Sequence, residues 1–302
     1  MKVFHGIRPD LLPASVVTLG MFDGVHRGHQ ALLHSCRAHA DRQALPAVAL
    51  TYAPHPSQVL RPDMPVRLLT LLPEKLDRLA HYAMDAVVIA EFTRAFSQLS
   101  PEEYLRDVLM AGLHPRMVVV GYRTTFGRAR AGTAEVLREM GRQLGFDVEV
   151  VSPIEVAGSA VSSSRIRECL EQGEVEMAAD LLGYRYQLTG TVTLGDQRGR
   201  ELGLPTANLE VPAEKMLPAD GVYAVDACAP GLKRRAVMSI GNRPTFHRPR
   251  SLEVHLLDFS GDLYHQPLTV TFLKRLRSVR TFDTVEELLA EIGRDIAQAR
   301  AL

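Results

Sequence analysis

The stretch Gly20-Met21-Phe22-Asp23-Gly24-Val25-His26-Arg27-Gly28-His29 joins two different patterns. Before it runs an apolar segment (Val16, Val17, Leu19) that reads as a buried strand. After it comes a helical pattern through Gln30, Leu32, Leu33 and Cys36. His26 and His29 therefore sit at a strand-to-helix turn kept thin by Gly20, Gly24 and Gly28. Such a turn sets both imidazoles beside the unpaired N–H groups of a helix N-terminus, an anion site. The cargo that fits is a phosphate chain.

Around this junction strand and helix alternate. Strands are predicted at Val16–Gly20, Ala47–Tyr52, Ala86–Phe92, Met117–Gly121 and Asp147–Val151, mostly continuous apolar runs suited to burial on both faces. Helices are predicted at Gly28–Arg42, Pro73–Ala83, Pro101–Ala111 and Ala134–Leu144, with Ser100 as an N-cap before a proline. This is the pattern of a doubly wound parallel α/β domain, whose ligand lies at the carboxyl ends of the strands. Near Leu182–Gly183 the rhythm changes. Strands now follow one another at Tyr186–Leu194, Val222–Cys228, Arg235–Ile240, Leu252–Phe259 and Leu268–Leu273, as in an antiparallel sheet or small barrel. Short helices at Ser163–Gln172 and Val175–Leu182 lead into it. A terminal helix carries a Thr284/Glu287 capping box and a stripe of Val285, Leu288, Leu289, Ile292 and Ile296. The expected domains are 1–183 and 184–302.

Bulk properties narrow the classes. Lys plus Arg and Asp plus Glu both number 35, so no net field advertises nucleic acid or a membrane surface. The longest apolar runs are too short to span a bilayer, and the N-terminus lacks the core of a signal peptide. Three scattered cysteines (Cys36, Cys169, Cys228) without a CxxC pair fit a reduced, cytoplasmic protein and read as structural. No surface for self-association can be picked out, so the oligomeric state stays open.

The residues alone leave alternatives. His26 and His29 can be a structural pair, a metal half-site or a phosphate clamp. No Cys/His cluster adds metal ligands, and both the Walker loop and GxGxxG are absent. That leaves a non-P-loop nucleotide binder. Val161-Ser-Ser-Ser-Arg-Ile-Arg167 is either an N-cap run with solvated arginines or a set of hydroxyl and guanidinium donors for phosphate. The two segments together suit a nucleotidyltransferase, which positions a triphosphate and stabilises charge at the α-phosphorus. Further on, Gly195, Gly199 and Gly203 punctuate a loop that ends in Leu-Pro-Thr-Ala-Asn208. It is a surface turn, or a segment whose Thr206 and Asn208 oxygens face one side and help hold Mg²⁺. In Ser251–Phe259 apolar and polar residues alternate, putting Glu253 and His255 on the polar face. Glu253 is solvated there, or overlooks a pocket as a general base toward a hydroxyl. The basic run Lys274–Arg280 reads as a solvated or domain-facing strip.

GMFDGVHRGH, ALTYAPHPSQVL (Ala49–Leu60), EFTRAFSQLSPEEYL (Glu91–Leu105) and VSSSRIR resemble, in order and spacing, the adenylyltransferase half of bacterial bifunctional riboflavin kinase/FAD synthetases. The resemblance implies a nucleotidyltransferase-type α/β domain in which His26 and His29 contact ATP phosphates. Ser162, Ser163 and Arg167 would close over them. Gly20, Phe22, Asp23, Gly24, Gly28 and Gly127 would line the nucleotide site, with His55 near the flavin nucleotide. One departure stands out. At the strand end beginning with Gly121 the family carries an Asp or Asn and then an aromatic, where this chain has Arg123 and Thr124. An arginine there changes the electrostatics beside a triphosphate. It could weaken metal placement, alter the nucleotide preferred, or do neither if it turns outward.

The second half resembles the riboflavin kinase module of the same family through GRELGLPTANL (Gly199–Leu209), Gly221-Val-Tyr223, Gly241-Asn-Arg-Pro-Thr245, Glu253–Asp258 and Asp262-Leu-Tyr264. The resemblance implies a six-stranded antiparallel barrel. Thr206 and Asn208 would bind Mg²⁺–ATP, and Glu253 would deprotonate the ribityl hydroxyl. Gly195, Arg200, Gly203, Pro205, Asn242 and Arg277 would line the nucleotide and flavin. The expected activity is phosphorylation of riboflavin to FMN, then adenylylation of FMN to FAD with release of pyrophosphate. ATP and Mg²⁺ serve both steps, without a nucleic-acid or membrane partner. A kinase with a repurposed first domain, suggested by Arg123 and Thr124, and a non-catalytic flavin-responsive regulator are the rival expectations.

Overall fold

Val16 and Val17 are fully buried because their strand is flanked on both sides within a six-stranded sheet. In this computed structural model the described residues are 1–195, 204–243 and 248–302. By internal contacts the chain divides into Met1–Ser163 and Ser164–Leu302.

In the first unit β1 (Lys2–His5), β2 (Ser15–Leu19), β3 (Ala47–Ala53), β4 (Ala86–Glu91), β5 (Pro115–Gly121) and β6 (Asp147–Val151) pair in parallel throughout. Alternate side chains serve opposite faces. Val16, Ala47, Ala49, Val87, Ile89 and Val119 pack with α1 (Arg27–Gln43) and with Leu79 on α3 (Leu72–His81). Val17, Leu19, Val48, Leu50, Val88, Val118 and Val120 pack with the segment between α4 (Pro101–Glu103) and α5 (Ala111–Leu113) and with α6 (Ala134–Leu144). The short α2 (Pro56–Leu60) follows β3. Covered on both faces, the strands read as the unbroken apolar runs seen in the sequence.

Two details differ from expectation. The edge strand β1 was not foreseen: KVFH is four residues, mostly exposed, too short to show a period. The helix expected at Pro101–Ala111 passes through a π-helical stretch, Tyr104–Met110, which buries Tyr104, Leu105, Val108 and Leu109. Chain order places the switch point at β2: the chain runs from β2 through β3 to β4, then crosses back to β5 on the other flank of β2. Ligands of open α/β sheets bind at the carboxyl ends of such strands.

After the small hairpin β7 (Glu155–Val156) and β8 (Ser159–Ala160), helix α7 (Ser163–Gln172) begins at the division between units. Contacts group α7 from Ser164 onward and α8 (Val175–Leu182) with the second unit. The 183/184 boundary instead follows the change in strand rhythm. Strands β9 (Gln187–Thr193), β10 (Ala207–Glu210), β11 (Gly221–Ala229), β12 (Leu232–Arg243), β13 (Arg248–Leu256) and β14 (Pro267–Arg277) close an antiparallel barrel in the order β10-β13-β12-β11-β14-β9. Tyr223 meets Phe272 edge-on at 5.2 Å in its core.

Helix α9 (Val285–Arg300) has Thr284 as its N-cap, accepting from the Glu287 N–H at 3.2 Å, but the expected box does not close: the Glu287 carboxylate accepts from the Asp283 N–H at 3.4 Å. Its apolar stripe is only partly used. Ile296 and Ala299 pack with Val222, Ala224 and Val237, whereas Val285 and Leu289 are 50% and 37% exposed. Among the described residues no helix is long and apolar enough to cross a membrane.

Candidate functional site

The loop after β2 is tightly wound. Phe22, Gly24 and Val25 have φ of 49°, 83° and 36°. Positive φ in a β-branched residue is uncommon, and such strain concentrates where a ligand needs a fixed backbone. Burial of Phe22, Asp23, Val25 and His26 fastens the loop. Asp23 accepts from the Thr70 N–H at 3.0 Å, the Gly24 N–H donates to Thr70 Oγ1 at 2.9 Å, and Ser163 Oγ donates to the Asp23 carbonyl at 2.9 Å. The last bond joins two segments far apart in the chain that the sequence singled out separately.

His26 caps α1: its Nδ1 accepts from the His29 N–H at 3.4 Å. The two rings stack, centroids 3.7 Å apart and 16° from parallel. Gly28 makes room for this, since a Cβ there would lie 3.2 Å from the His26 ring. Gly20, by contrast, would meet the Phe22 ring at an ordinary 3.4 Å. Burial, reinforced by His26 and Lys75, pushes the His29 imidazole well below its ordinary value. His29 is therefore neutral at physiological pH, an N–H donor rather than a cation. Its Nδ1 is buried without a hydrogen-bond partner among the described residues. Ser162 is half-buried just before α7, and Arg167 lies one helical turn beyond Ser163.

The other expected residues of this half have clear places. His55 caps α2, its Nδ1 accepting from the Ser57 N–H at 3.1 Å while its own N–H donates to Gln58. Gly127 has φ of 70° and stands where a Cβ would strike the Pro101 backbone at 2.9 Å. It thereby lets the loop after β5 lie against the start of α4. The Thr124 N–H donates to the Gly121 carbonyl in a turn, and the exposed Arg123 stacks its guanidinium 5.2 Å from the Tyr122 ring centroid. Arg123 is thus partnered at the tip of the loop by its own neighbour. Sequence reasoning missed Lys75, which lies in the Pro-Glu-Lys-Leu segment of α3 and is 6% exposed.

In the barrel unit, register supplies what the sequence could not. Asn208 on β10 stands opposite Glu253 on β13 and Thr193 on β9, and Glu253 stands opposite Ser239 on β12. Directly opposed residues share a face with Cβ atoms about 5 Å apart. Ser239, Glu253, Asn208 and Thr193 therefore form a half-buried polar row across four strands. Glu253 accepts from Ser251 Oγ at 3.2 Å. Any side chain on Gly195 would collide with the Asn208 amide. His255 Nδ1 donates to the Pro205 carbonyl at 2.8 Å, pinning the segment that carries Thr206.

Arg200 and Gly203 lie outside the described residues, as does the side chain of Asn242. Arg277 is taken up by the terminal helix, bonded to Asp295 at 2.9 Å and within 3.6 Å of Glu291. Much of the basic run is likewise paired within its own unit. Arg275 donates to the carbonyls of Gln172 and Asp220, and Arg280 pairs with Glu291. Arg275 and Arg277 are thus part-buried, while Lys274 and Arg280 stay solvent-exposed as expected of a solvated strip.

Family models and curated relatives point to one family. The FAD synthetase family matches residues 9–165 and the riboflavin kinase family residues 182–302. The bifunctional riboflavin kinase/FMN adenylyltransferase of Escherichia coli (strain K12) is 37% identical over 307 residues, covering 99% of this chain and 97% of the relative. That of Bacillus subtilis (strain 168) is 34% identical over 310 residues, again 99% and 97%. A solved structure from Streptococcus pneumoniae, titled a macrolide-efflux protein, superposes over 100% of both chains with a TM-score of 0.92 and 31% identity. Relatives so similar over nearly their whole length leave one assignment: this chain belongs to the bifunctional riboflavin kinase/FMN adenylyltransferase family.

Proposed function

We propose that the chain makes FAD from riboflavin in the cytoplasm, in two ATP-dependent steps carried by its two units. In the second unit the Glu253 carboxylate takes the proton of the ribityl 5′-hydroxyl, whose oxygen attacks the γ-phosphorus of ATP; FMN and ADP leave. In the first, an FMN phosphate oxygen attacks the α-phosphorus of a second ATP and pyrophosphate leaves, giving FAD. Here the work is positioning and charge stabilisation. His26 and His29 donate to the phosphate chain at the start of α1, with Ser162 and Ser163 as further hydroxyl donors.

The single observation that most supports this reading is the direct opposition of Asn208 and Glu253 across two strands. It brings a neutral oxygen donor beside the candidate base. Thr206 and Asn208 suit Mg²⁺, which takes oxygen ligands and relies on substrate phosphates and water for the rest. When bound, the ion neutralises charge on the transferred phosphoryl group. His255, through Pro205, keeps the Thr206 segment in line.

The test is chromatography of flavins after incubation with ATP and Mg²⁺, with riboflavin or FMN supplied separately. Glu253→Gln is expected to lower FMN formation about a hundredfold or more, the usual size of a general-base contribution. FAD formation from supplied FMN should be unchanged. His29→Ala should do the reverse. Loss of both activities in either variant would defeat the separate-site assignment, and no FAD from the wild-type chain would leave a kinase alone.

A further inference from the structure

Three arginines on the loop after β5 are left unmatched by the fold. Arg123, Arg128 and Arg130 are exposed, and among the described residues none of them meets a carboxylate. The acids close to them in sequence are engaged elsewhere, Glu103 accepting from the Ser100 N–H at 2.7 Å and Glu135 from Thr133 Oγ1 at 2.8 Å. Arg123 rests on the Tyr122 ring, an exposed cation–π contact weak enough to be given up for an anion. The backbone that carries them is firmly held. Phe126 and Gly132 exchange hydrogen bonds at 3.0 and 2.9 Å, and the Arg128 N–H donates to the Leu99 carbonyl at 2.6 Å. The Phe126 ring packs on Tyr104, centroids 5.2 Å apart. Within this frame Ala129 and Arg130 sit at φ of 54° and 59°, a left-handed pair without glycine. Such conformations persist only where the surroundings impose them, and they gather at ligand clamps. The loop also stands beside the histidine loop. Thr18 on β2 pairs with Val119 on β5, so the two chains reach the sheet edge together at Gly20 and Gly121, about 5 Å apart. A Cβ on Gly121 would lie 3.9 Å from Leu32, one helical turn past His29 on α1. The loop that carries His55 follows β3, on the other flank of β2.

We propose that Arg123, Arg128 and Arg130 bind the two terminal phosphates of ATP during adenylyl transfer and hold them as they depart as pyrophosphate. The inference rests on the reading that the triphosphate lies at the start of α1 and the flavin nucleotide beside His55. In-line displacement puts the attacking and leaving oxygens on opposite sides of the reacting phosphorus. The FMN phosphate oxygen forms its bond to the α-phosphorus from the β3 side. The bond from that phosphorus to the bridging oxygen breaks, and its electron pair stays with pyrophosphate. Negative charge therefore grows on the β5 side, where the three guanidinium groups stand. Each guanidinium can meet two phosphate oxygens at once, which suits a group with several equivalent oxygens. Arg123 then acts on the leaving group, with no call on the placement of a metal ion.

The test uses the full chain, with inorganic pyrophosphate as the probe and Mg²⁺ in excess. FAD formation from FMN is inhibited by pyrophosphate in wild type, in Arg123→Gln, Arg128→Gln and Arg130→Gln, and in the triple variant. Arg116→Gln removes an exposed arginine at the opposite end of β5 and is the control. Each loop variant should weaken inhibition about tenfold, the size of one lost charge-assisted hydrogen bond, and the triple variant about a hundredfold or more. KM for ATP should rise in parallel, while KM for FMN and riboflavin phosphorylation by the same samples stay at wild-type values. Pyrophosphate inhibition unchanged in the triple variant overturns the proposal. So does a rise in KM for FMN with inhibition unchanged, which would put the loop on the flavin side, or an equal effect of Arg116→Gln. No FAD from the wild-type chain would instead overturn the reading of the first unit as a transferase. Pyrophosphate titrated by calorimetry then decides the loop: weaker binding to the triple variant supports the site, and equal binding overturns it.

Discussion

Gly28 shows how much a single missing methyl group decides at the first site. Its absent Cβ is what lets the His26 ring fold over the start of α1 and stack on His29. Replacing glycine by alanine inside a helix is ordinarily stabilising by about 1 kcal/mol. At this position we expect the opposite balance for function: Gly28→Ala keeps the fold but displaces the His26 ring, lowering FAD formation about tenfold through misplacement of the proposed phosphate contact. Riboflavin phosphorylation in the same sample should not change, and a change in both would refute the local explanation. Cys36 illustrates the other kind of residue. Burial pushes its thiol up to about 12, so it is an inert core group, as its isolation in the sequence implied. His26 and His29 were legible as a pair because glycine spacing and a strand-to-helix junction put both at one turn. Lys75 was not legible: a lysine in an amphipathic helix carries no mark of burial until the sheet beside it is in place.

At the scale of elements, the terminal helix α9 depends on one cap and one buried ion pair. Thr284 satisfies the Glu287 N–H, so Thr284→Ala should cost about 1 kcal/mol in a urea titration of the full chain. Asp295 is 2% exposed and holds Arg277 with both oxygens. Removing one partner of a buried pair leaves the other uncompensated, and Asp295→Asn should cost about 3 kcal/mol in the same measurement. An effect of Asp295→Asn no larger than that of Thr284→Ala would show the pair to be exchangeable with solvent.

A pH-dependent element tie lies in the first unit. Burial would raise the Asp85 carboxyl, but the Ala47 N–H and Arg37 outweigh it and hold it below its ordinary value. The stability from this tie between the starts of β3 and β4 is therefore full above the ordinary carboxylate range. It is lost as pH falls from that range through the lowered folded value. The stability difference between wild type and Asp85→Asn should shrink over that acid window and be flat at neutral pH. The Glu287 carboxylate accepts from the Asp283 N–H rather than closing a capping box on Thr284, but the N-cap of α9 was readable from Thr284. The partial use of its apolar stripe was not, because periodicity identifies a face without saying how much of it a neighbour covers.

For the whole molecule, two units with separate candidate sites make a plain expectation. Glu253→Gln and His29→Ala, each unable to carry riboflavin to FAD, should do so when mixed, because FMN made by one chain can reach the other. Chromatographic appearance of FAD in the mixture, and in neither variant alone, is the expected result. Absence of FAD from the mixture would mean that FMN does not pass between chains.

The sequence by itself determined the two folds, the order of their elements and the loops that carry the histidines, the serines, Thr206 and Asn208. It could do so because those features are local: hydrophobic period, caps, glycine turns and short motifs depend on neighbours along the chain. Tertiary structure alone decided which distant residues share a face. Only sheet register sets Asn208 opposite Glu253, and only packing buries Lys75 near the His29 loop. These are relations between segments far apart in the chain, fixed by strand pairing and close packing, and no window of sequence contains both partners.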